Sequence, residues 1–275
     1  MEIHVTRFAQ PDAPTYSFGN DDPEAADRHR HLSDVLDGLT FSRLAGLGDL
    51  LGRHCLEVGA GGGGVARWLV EQVGPTGRVL ATDLNTRYLP SDQGYEVLQH
   101  DLTTEAVPVG PWDVIHARLV LLHVPGREEI LGRLAAALAP GGALVIEEWA
   151  TEFPNLVLAA PDDASAELVE AYHRTLTGRI LPSNGNDPTW AGRVHKTMLD
   201  AGLTEVETLV HARSWPGGTG GALLIAANIG QVRERFLAEG YSEDDLDRLC
   251  ALANDPRLVI RGHFTYSVVG RRSVS

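Results

Sequence analysis

The sequence has few of the residues that build disulfide, zinc or polyanion-binding proteins. Its 275 residues include two cysteines, Cys55 and Cys250, far apart and without a CxxC or CxxH companion. Neither a disulfide scaffold nor a structural zinc site is therefore expected. Lysine occurs once, at Lys196, and 23 basic residues stand against 37 acidic ones for a formal charge of −14. No segment gathers basic residues into a stripe, which argues against nucleic acid or an anionic membrane surface as a partner.

Long apolar runs are also absent. No run approaches the roughly 18 apolar residues of a membrane span, and residues 1–14 lack the basic start and apolar centre of a signal peptide. No His and Asp cluster has metal-ligand spacing, and no GxSxG nucleophile elbow occurs. We therefore expect a cytoplasmic protein with no metal. The sequence leaves open whether it is a monomer or a homodimer.

Short apolar runs alternate with helical stretches between residues 53 and 150. Helices are predicted over 64–73 and 127–138, where apolar residues recur on one face. Five apolar runs are predicted as strands: 55–58, 79–83, 95–98, 112–117 and 143–148. This alternation, with short connections, predicts an α/β fold with a parallel sheet covered by helices on both faces.

The flanking segments have a different pattern. Residues 1–52 are predicted to form an extended arm and a helical cap, with one helix beginning near Asp21 and a second over 40–51. Residues 53–275 are predicted to form the main domain, in which the irregular segment 151–203 is a lid. Further elements are predicted at 162–176, 189–201, 221–239 and 242–253 as helices, and at 205–211 and 259–269 as a pair of antiparallel strands.

A glycine-rich loop, Gly59–Gly64, follows the first strand and opens a helix. Glycine allows a sharp turn and the close approach of a ligand, and the helix N-terminus offers unpaired N–H groups. Asp83 ends the next strand, where a carboxylate can accept hydrogen bonds from ribose hydroxyls. The pattern predicts a site for an adenine-nucleoside cofactor. Because glycines 59, 61 and 64 also satisfy GxGxxG, a dinucleotide stays open.

Five motifs in order resemble those of the class I S-adenosylmethionine-dependent methyltransferases. They are LEVGAGGGG (56–64), ATDLN (81–85), HDL (100–102), WDVIHARLVLLHV (112–124) and APGGALVIEEW (139–149). The resemblance implies a Rossmann-like, seven-stranded, mostly parallel sheet with an antiparallel last strand pair. YSFGN (16–20) and the C-terminal half are similar to small-molecule methyltransferases of actinobacterial secondary metabolism.

The resemblance also implies roles for individual residues, with S-adenosylmethionine as cofactor and S-adenosylhomocysteine as product. The glycine loop and Arg118 would lie at the methionine end, Asp83 would bind the ribose, and residues after the second and third strands would contact the adenine. The implied cofactor set is Glu57, Gly59, Ala60, Gly61, Gly63, Asp83, Leu84, Asn85, Asp101, Leu102 and Arg118.

Catalytic candidates lie beyond the carboxyl ends of strands, where open parallel sheets bind ligands. His123 is a candidate general base, a role that contributes ~10²–10⁴-fold where the acceptor must lose a proton, and Glu148 is a second candidate. His116, inside a strand, is expected to be a hydrogen-bonded core histidine. Candidate acceptor contacts are Tyr16, Trp149, Asn186 and Trp190.

The sequence therefore predicts methylation of an oxygen or nitrogen atom in a small organic, natural-product or peptide-derived acceptor. One alternative is an NAD(P)-dependent oxidoreductase, which would need a constellation such as Tyr-x-x-x-Lys, and Lys196 has no such partner. The other alternative is a methyltransferase-like protein that binds the cofactor without transferring methyl, as a cyclase or a binding module.

Overall fold

A computed structural model describes residues 18–19 and 25–274. Ten strands occur in the described part of the chain: β1 His54–Val58, β2 Arg78–Asp83, β3 Glu96–Gln99, β4 Trp112–Arg118, β5 Leu138–Ala150, β6 Val157–Ala159, β7 Thr204–His211, β8 Ser214–Pro216, β9 Val259–Arg261 and β10 Phe264–Arg271. Seven of them form one sheet in the order β3-β2-β1-β4-β5-β10-β7. The first five run parallel, and β10 pairs antiparallel with both β5 and β7. The predicted fold class is confirmed.

Both faces of the large sheet are buried at its central strands, and this explains the continuous apolar runs of β1, β4 and β5. Alternate side chains contribute to different cores: Leu56 and Ile115 pack in one, whereas Cys55 and Val114 pack in the other. Side chains of successive residues point to opposite faces of a strand, so a strand covered on both sides is apolar throughout. The glycine loop therefore follows a central strand, β1, that is packed on both faces.

Seven α-helices accompany the strands: α1 Ala25–Ala45, α2 Gly64–Val73, α3 Arg127–Ala136, α4 Asp163–Thr175, α5 Val194–Asp200, α6 Gly220–Ala238 and α7 Glu243–Leu252, counted over the described residues. In the same residues no helix is both long and apolar enough to cross a bilayer. The cap is one helix where the sequence predicts two. Leu36, Thr40 and Leu44 are buried at four-residue spacing, so one packed face continues through the expected break. The expected start near Asp21 lies outside the described residues.

The predicted last strand, 259–269, is two strands in different sheets. β9 pairs with β6 and β8 in a small three-stranded sheet, while β10 belongs to the large one. The chain changes direction at Gly262, where a Cβ atom would lie 2.6 Å from Cζ2 of Trp215. This close approach of the indole requires glycine at the bend, a constraint that the apolar pattern alone does not show.

The predicted lid segment, 151–203, divides into two parts with different surroundings. Residues 156–181 pack with α6 and α7 in a separate apolar core. By contrast Trp190, Val194 and Met198 lie fully buried in the main core beside β4 and β5. Their four-residue spacing gives one apolar face that covers the sheet before β7. The C-terminal part of this segment is therefore a crossover of the sheet rather than a cover over its edge.

Replacing Trp190 by alanine is expected to lower the free energy of unfolding by about 3–5 kcal/mol, because the change empties a fully buried site. Leu199→Ala is the matched control, since Leu199 in α5 is 51% exposed and surface changes usually stay within about 0.5 kcal/mol. Urea denaturation measures both. Equal effects would contradict the placement of Trp190 in the core.

Candidate active site

The glycine loop leaves β1 in a conformation that favours glycine at three positions. Gly59, Gly61 and Gly63 have φ angles of 65°, 54° and 74°, in the left-handed region where a side chain is strained. A Cβ atom on Gly59 would also collide with the Val120 side chain. The loop can therefore pass close to the segment after β4 and leave its backbone open on the other side.

A cavity of about 570 Å³ lies at the carboxyl ends of β1, β2, β3 and β4. This volume falls in the range that small-molecule sites occupy, roughly 300–1,000 Å³. Every residue of the predicted cofactor set lines it except Gly63. A Cβ atom on Gly63 would instead meet the Tyr95 hydroxyl, so this glycine serves packing behind the loop. Further lining comes from α1, with Arg28, His29, Leu32 and Ser33.

One row of α1 residues covers the glycine loop. A Cβ atom on Gly61 would lie 3.5 Å from the His29 ring, and one on Gly64 would lie 3.5 Å from Ser33 and 3.3 Å from Asp37. Burial, followed by the nearby positive charge of Arg28, lowers the pKa of His29 to about 4. A neutral imidazole ring therefore closes the cavity above the loop. The motifs of residues 53–150 do not include α1, so they did not predict that His29, Ser33 and Asp37 lie over the glycine loop. The four-residue spacing of these side chains could have indicated that they share one face of a helix.

Asp83 connects the end of β2 to the glycine loop. Its Oδ2 accepts a hydrogen bond from the N–H of Gly61 at 2.9 Å, and its Oδ1 accepts one from Asn85 at 3.0 Å. Burial raises the pKa of this carboxyl, against the effect of the backbone donors. Each carboxylate oxygen can accept a further hydrogen bond. A carboxylate placed in this way suits a diol such as that of a ribose.

Asp101 shapes the wall after β3. Its Oδ1 accepts hydrogen bonds from the backbone N–H and the hydroxyl of Thr103 at 2.9 and 2.6 Å, and its Oδ2 accepts one from the Thr104 hydroxyl at 2.9 Å. The Thr103 hydroxyl is the main cause that lowers the pKa of this carboxyl. Leu102 next to it is buried. An ionised carboxylate and an apolar side chain thus lie side by side at the cavity.

A buried network of charges lies below the cavity. His116 Nδ1 lies 2.7 Å from Glu57 Oε2, and its Nε2 lies 3.5 Å from Glu147 Oε2. Burial alone would lower the pKa of His116, but the two carboxylates raise it to about 9. His116 is therefore a charged core histidine between two carboxylates, which confirms the expected hydrogen-bonded core role and adds the charge.

The same network extends to the cap helix. Thr40 donates a hydrogen bond to Glu147, and Arg118 Nη1 donates to the Thr40 hydroxyl at 2.9 Å. Arg118 Nη1 also lies 2.9 Å from Asp37 Oδ1. Arg118, predicted for the methionine end of the cofactor, thus lines the cavity with its charge already paired to a carboxylate.

His123 also lines the cavity, and it is half-buried. Burial, followed by the charges of Arg28 and Arg127, lowers its pKa to about 3. Its Nδ1 lies 3.1 Å from Asn186 Nδ2, so a candidate base and a candidate acceptor contact lie side by side. With this pKa the imidazole is neutral over the whole physiological range. It is then a weak base and an inefficient proton acceptor at neutral pH. The general-base role stays a prediction.

The structure places the other acceptor-side candidates elsewhere. Glu148 Oε1 accepts hydrogen bonds from the backbone N–H groups of Leu121 and Leu122 at 2.8 and 3.3 Å, and burial raises its pKa to about 8. It supports the loop after β4 and does not line the cavity. Trp149 donates to Thr265 at 3.0 Å beside a separate small pocket. Trp190 belongs to the core, and Tyr16 lies outside the described residues.

Comparison with known proteins identifies the family. The methyltransferase domain family matches residues 26–184, more than half of the chain. Methyltransferase str2 of Strobilurus tenacellus is 30% identical over 228 residues, which cover 70% of this chain and 77% of that protein. The ubiquinone/menaquinone biosynthesis C-methyltransferase UbiE of Ectopseudomonas mendocina is 28% identical over 241 residues, covering 73% and 91%. The chain therefore belongs to the methyltransferase domain family.

A solved structure shows the same fold. The chain aligns with a methyltransferase-type protein of Bacillus halodurans with a TM-score of 0.55 and 16% identity, over 84% of this chain and 98% of the other. With the family match and the shared fold, the protein is a methyltransferase. Among the described residues there is no group of three or more His, Cys, Asp and Glu side chains that could bind a metal ion.

Replacing His116 by glutamine is expected to lower the free energy of unfolding by about 3–5 kcal/mol, because two buried carboxylates lose the cation between them. The folded pKa of about 9 exceeds the ordinary 6.5. Stabilisation by the imidazolium is thus complete below the ordinary value and is lost as the pH rises through the folded one. The variant should lack this alkaline loss.

Urea denaturation across this pH window measures both effects. His54→Gln is the control, since His54 is exposed. A wild-type protein and His116→Gln variant with the same pH dependence would show that His116 is not charged in the fold.

Proposed function

We propose that the cavity binds S-adenosylmethionine with its ribose at Asp83, its adenine at Asp101 and Leu102, and its methionine end near Glu57, Gly59 and Arg118. The position of Asp83 carries this proposal, since its partly buried carboxylate accepts a hydrogen bond from the glycine loop and can accept more at the cavity. When bound, the sulfonium supplies an activated methyl group. Leu84 and Asn85 complete the wall beside the adenine.

The chain's own residues then have to position an acceptor and exclude water. Positioning is worth about 7–11 kcal/mol of the barrier where two reactants are aligned, so a methyltransferase needs little further machinery. Leu32, Leu119 and Val120 form an apolar part of the wall between the glycine loop and His123. Leu119 has a φ angle of 55°, a strained conformation that turns the chain after β4 along the cavity.

We infer an oxygen or nitrogen of a small organic acceptor as the methylated atom, in secondary metabolism. The polar side chain of His123 at the wall supports this inference, because a hydroxyl or an amine suits a polar wall. Candidate acceptors would be incubated with S-adenosylmethionine, and S-adenosylhomocysteine and the methylated product would be measured together. A product methylated on carbon would show that the assignment of an oxygen or nitrogen atom is wrong. Acceptor conversion without S-adenosylhomocysteine would favour the cyclase alternative.

Asp83→Asn is expected to weaken binding of S-adenosylhomocysteine by about 10-fold to 150-fold. The reason is the loss of charge-assisted hydrogen bonds worth roughly 1.5–3 kcal/mol. Isothermal titration calorimetry measures the change. Asp92→Asn is the matched control, since Asp92 is exposed outside the cavity, and its affinity should equal that of the wild type.

NAD and NADP would be titrated alongside. Binding of a dinucleotide instead of S-adenosylhomocysteine would overturn the cofactor assignment. An unchanged affinity in a folded Asp83→Asn variant would overturn only the ribose role.

A further inference from the structure

Arg28 is a buried arginine at the cavity, and within residues 18–19 and 25–274 no carboxylate forms an ion pair with it. Its residue exposure is 7%, and it lines the cavity. Its Nε donates a hydrogen bond to Asn228 Oδ1 at 3.2 Å, and its guanidinium lies 4.0 Å above the centre of the Phe18 ring. Among the described residues no ion pair joins it to an acid. A buried guanidinium normally needs such a partner, because removing a charge from water is costly.

Arg118, the other arginine at the cavity, gives the contrast. Its guanidinium is paired with Asp37 and donates to Thr40. Arg127, close to His123, is paired with Asp187 at 3.0 Å. The charge of Arg28 is therefore the one in this region that the described protein leaves without a counter-charge.

The geometry of α1 places Arg28 on the side of the cavity that faces α6 and the end of β5. His29, Ser33 and Asp37 form the row that covers the glycine loop. Arg28, Leu32 and Leu36 form the neighbouring row, since residues four apart lie one above the other on a helix. This second row faces away from the loop toward α6 and the end of β5, where Leu36 packs with Trp149 and Leu224, and Arg28 contacts Asn228.

A hydrogen-bonded series fixes the guanidinium in place. Asn228 receives the Arg28 Nε–H at its Oδ1 and donates from Nδ2 to the Tyr172 hydroxyl at 3.2 Å. Tyr172 is buried and stacks on Phe236 at 5.2 Å. Only one of the five N–H groups of Arg28 is used in this way. The planar fork at its end is thus oriented and still able to bind two oxygen atoms.

We propose that Arg28 binds an anionic group of the methyl acceptor, and that this group is a carboxylate. A single guanidinium supplies one positive charge and a planar pair of donors, which match a monoanionic carboxylate in a bidentate arrangement. The acceptor is thus a small organic acid whose methylated atom lies elsewhere in the molecule. This inference rests on the proposed function, because it requires the methyl donor at the glycine loop.

The test uses the full chain saturated with S-adenosylhomocysteine. Benzoate is the probe, benzamide is its neutral counterpart, and phenyl phosphate is the dianion. Benzoate should bind about tenfold or more tightly than benzamide, as a charge-assisted pair requires. In Arg28→Gln this preference should disappear, while Arg28→Lys should retain part of it. Arg30→Gln is the control, since Arg30 on the same helix is exposed and pairs with Asp27.

The outcomes separate the inference from the proposed function. If the wild type does not bind S-adenosylhomocysteine, the proposed function fails. If it binds, but benzoate shows no advantage or keeps it in a folded Arg28→Gln variant, the inference is overturned. Loss of S-adenosylhomocysteine binding in Arg28→Gln also overturns it, because Arg28 would then serve the cofactor carboxylate. Tighter binding of phenyl phosphate than of benzoate would contradict the inference that the bound anionic group is a carboxylate.

Discussion

The ion network around His116 is the interaction on which the arrangement of the site depends. An imidazolium lies between the carboxylates of Glu57 on β1 and Glu147 on β5, and Thr40 and Arg118 connect the network to α1. Away from water, each charge is costly unless its partners stay in place. The cap helix and three central strands must therefore keep one relative position. That position brings the glycine loop and α1 to the same cavity.

The fold could be predicted where a strand is buried on both faces, because such a strand is a continuous apolar run in the sequence. The predicted strand 112–117 is found as Trp112–Arg118, since its apolar run has clear ends. The prediction was wrong where a contact between residues distant in sequence determines the end of a strand or the burial of a side chain. The contact of Trp215 with Gly262 splits the last strand. Trp190 follows a polar stretch with Asn184 and Asn186, and only packing against the sheet shows that it belongs to the core.

The cofactor side of the site could be predicted better than the acceptor side. Carboxyl ends of parallel strands meet at one edge, so Asp83 and the glycine loop were expected together. In the proposed arrangement the acceptor side draws on α1, which precedes these motifs and is brought to them by packing alone. Strand-end position also proved insufficient, because successive side chains alternate. Glu147 joins the His116 network, whereas Glu148 contacts the backbone after β4.

In the proposed arrangement, the two rows of α1 separate acceptor binding from the contacts with the glycine loop. A helix turns by about 100° per residue, so adjacent positions such as Arg28 and His29 face different ligands in the proposed arrangement. Substitutions along Arg28, Leu32 and Leu36 can alter the choice of acceptor while His29, Ser33 and Asp37 keep their contacts with the glycine loop. New acceptor specificity could thus evolve, or be engineered, along one stripe of one helix while the methyl-donor site stays the same.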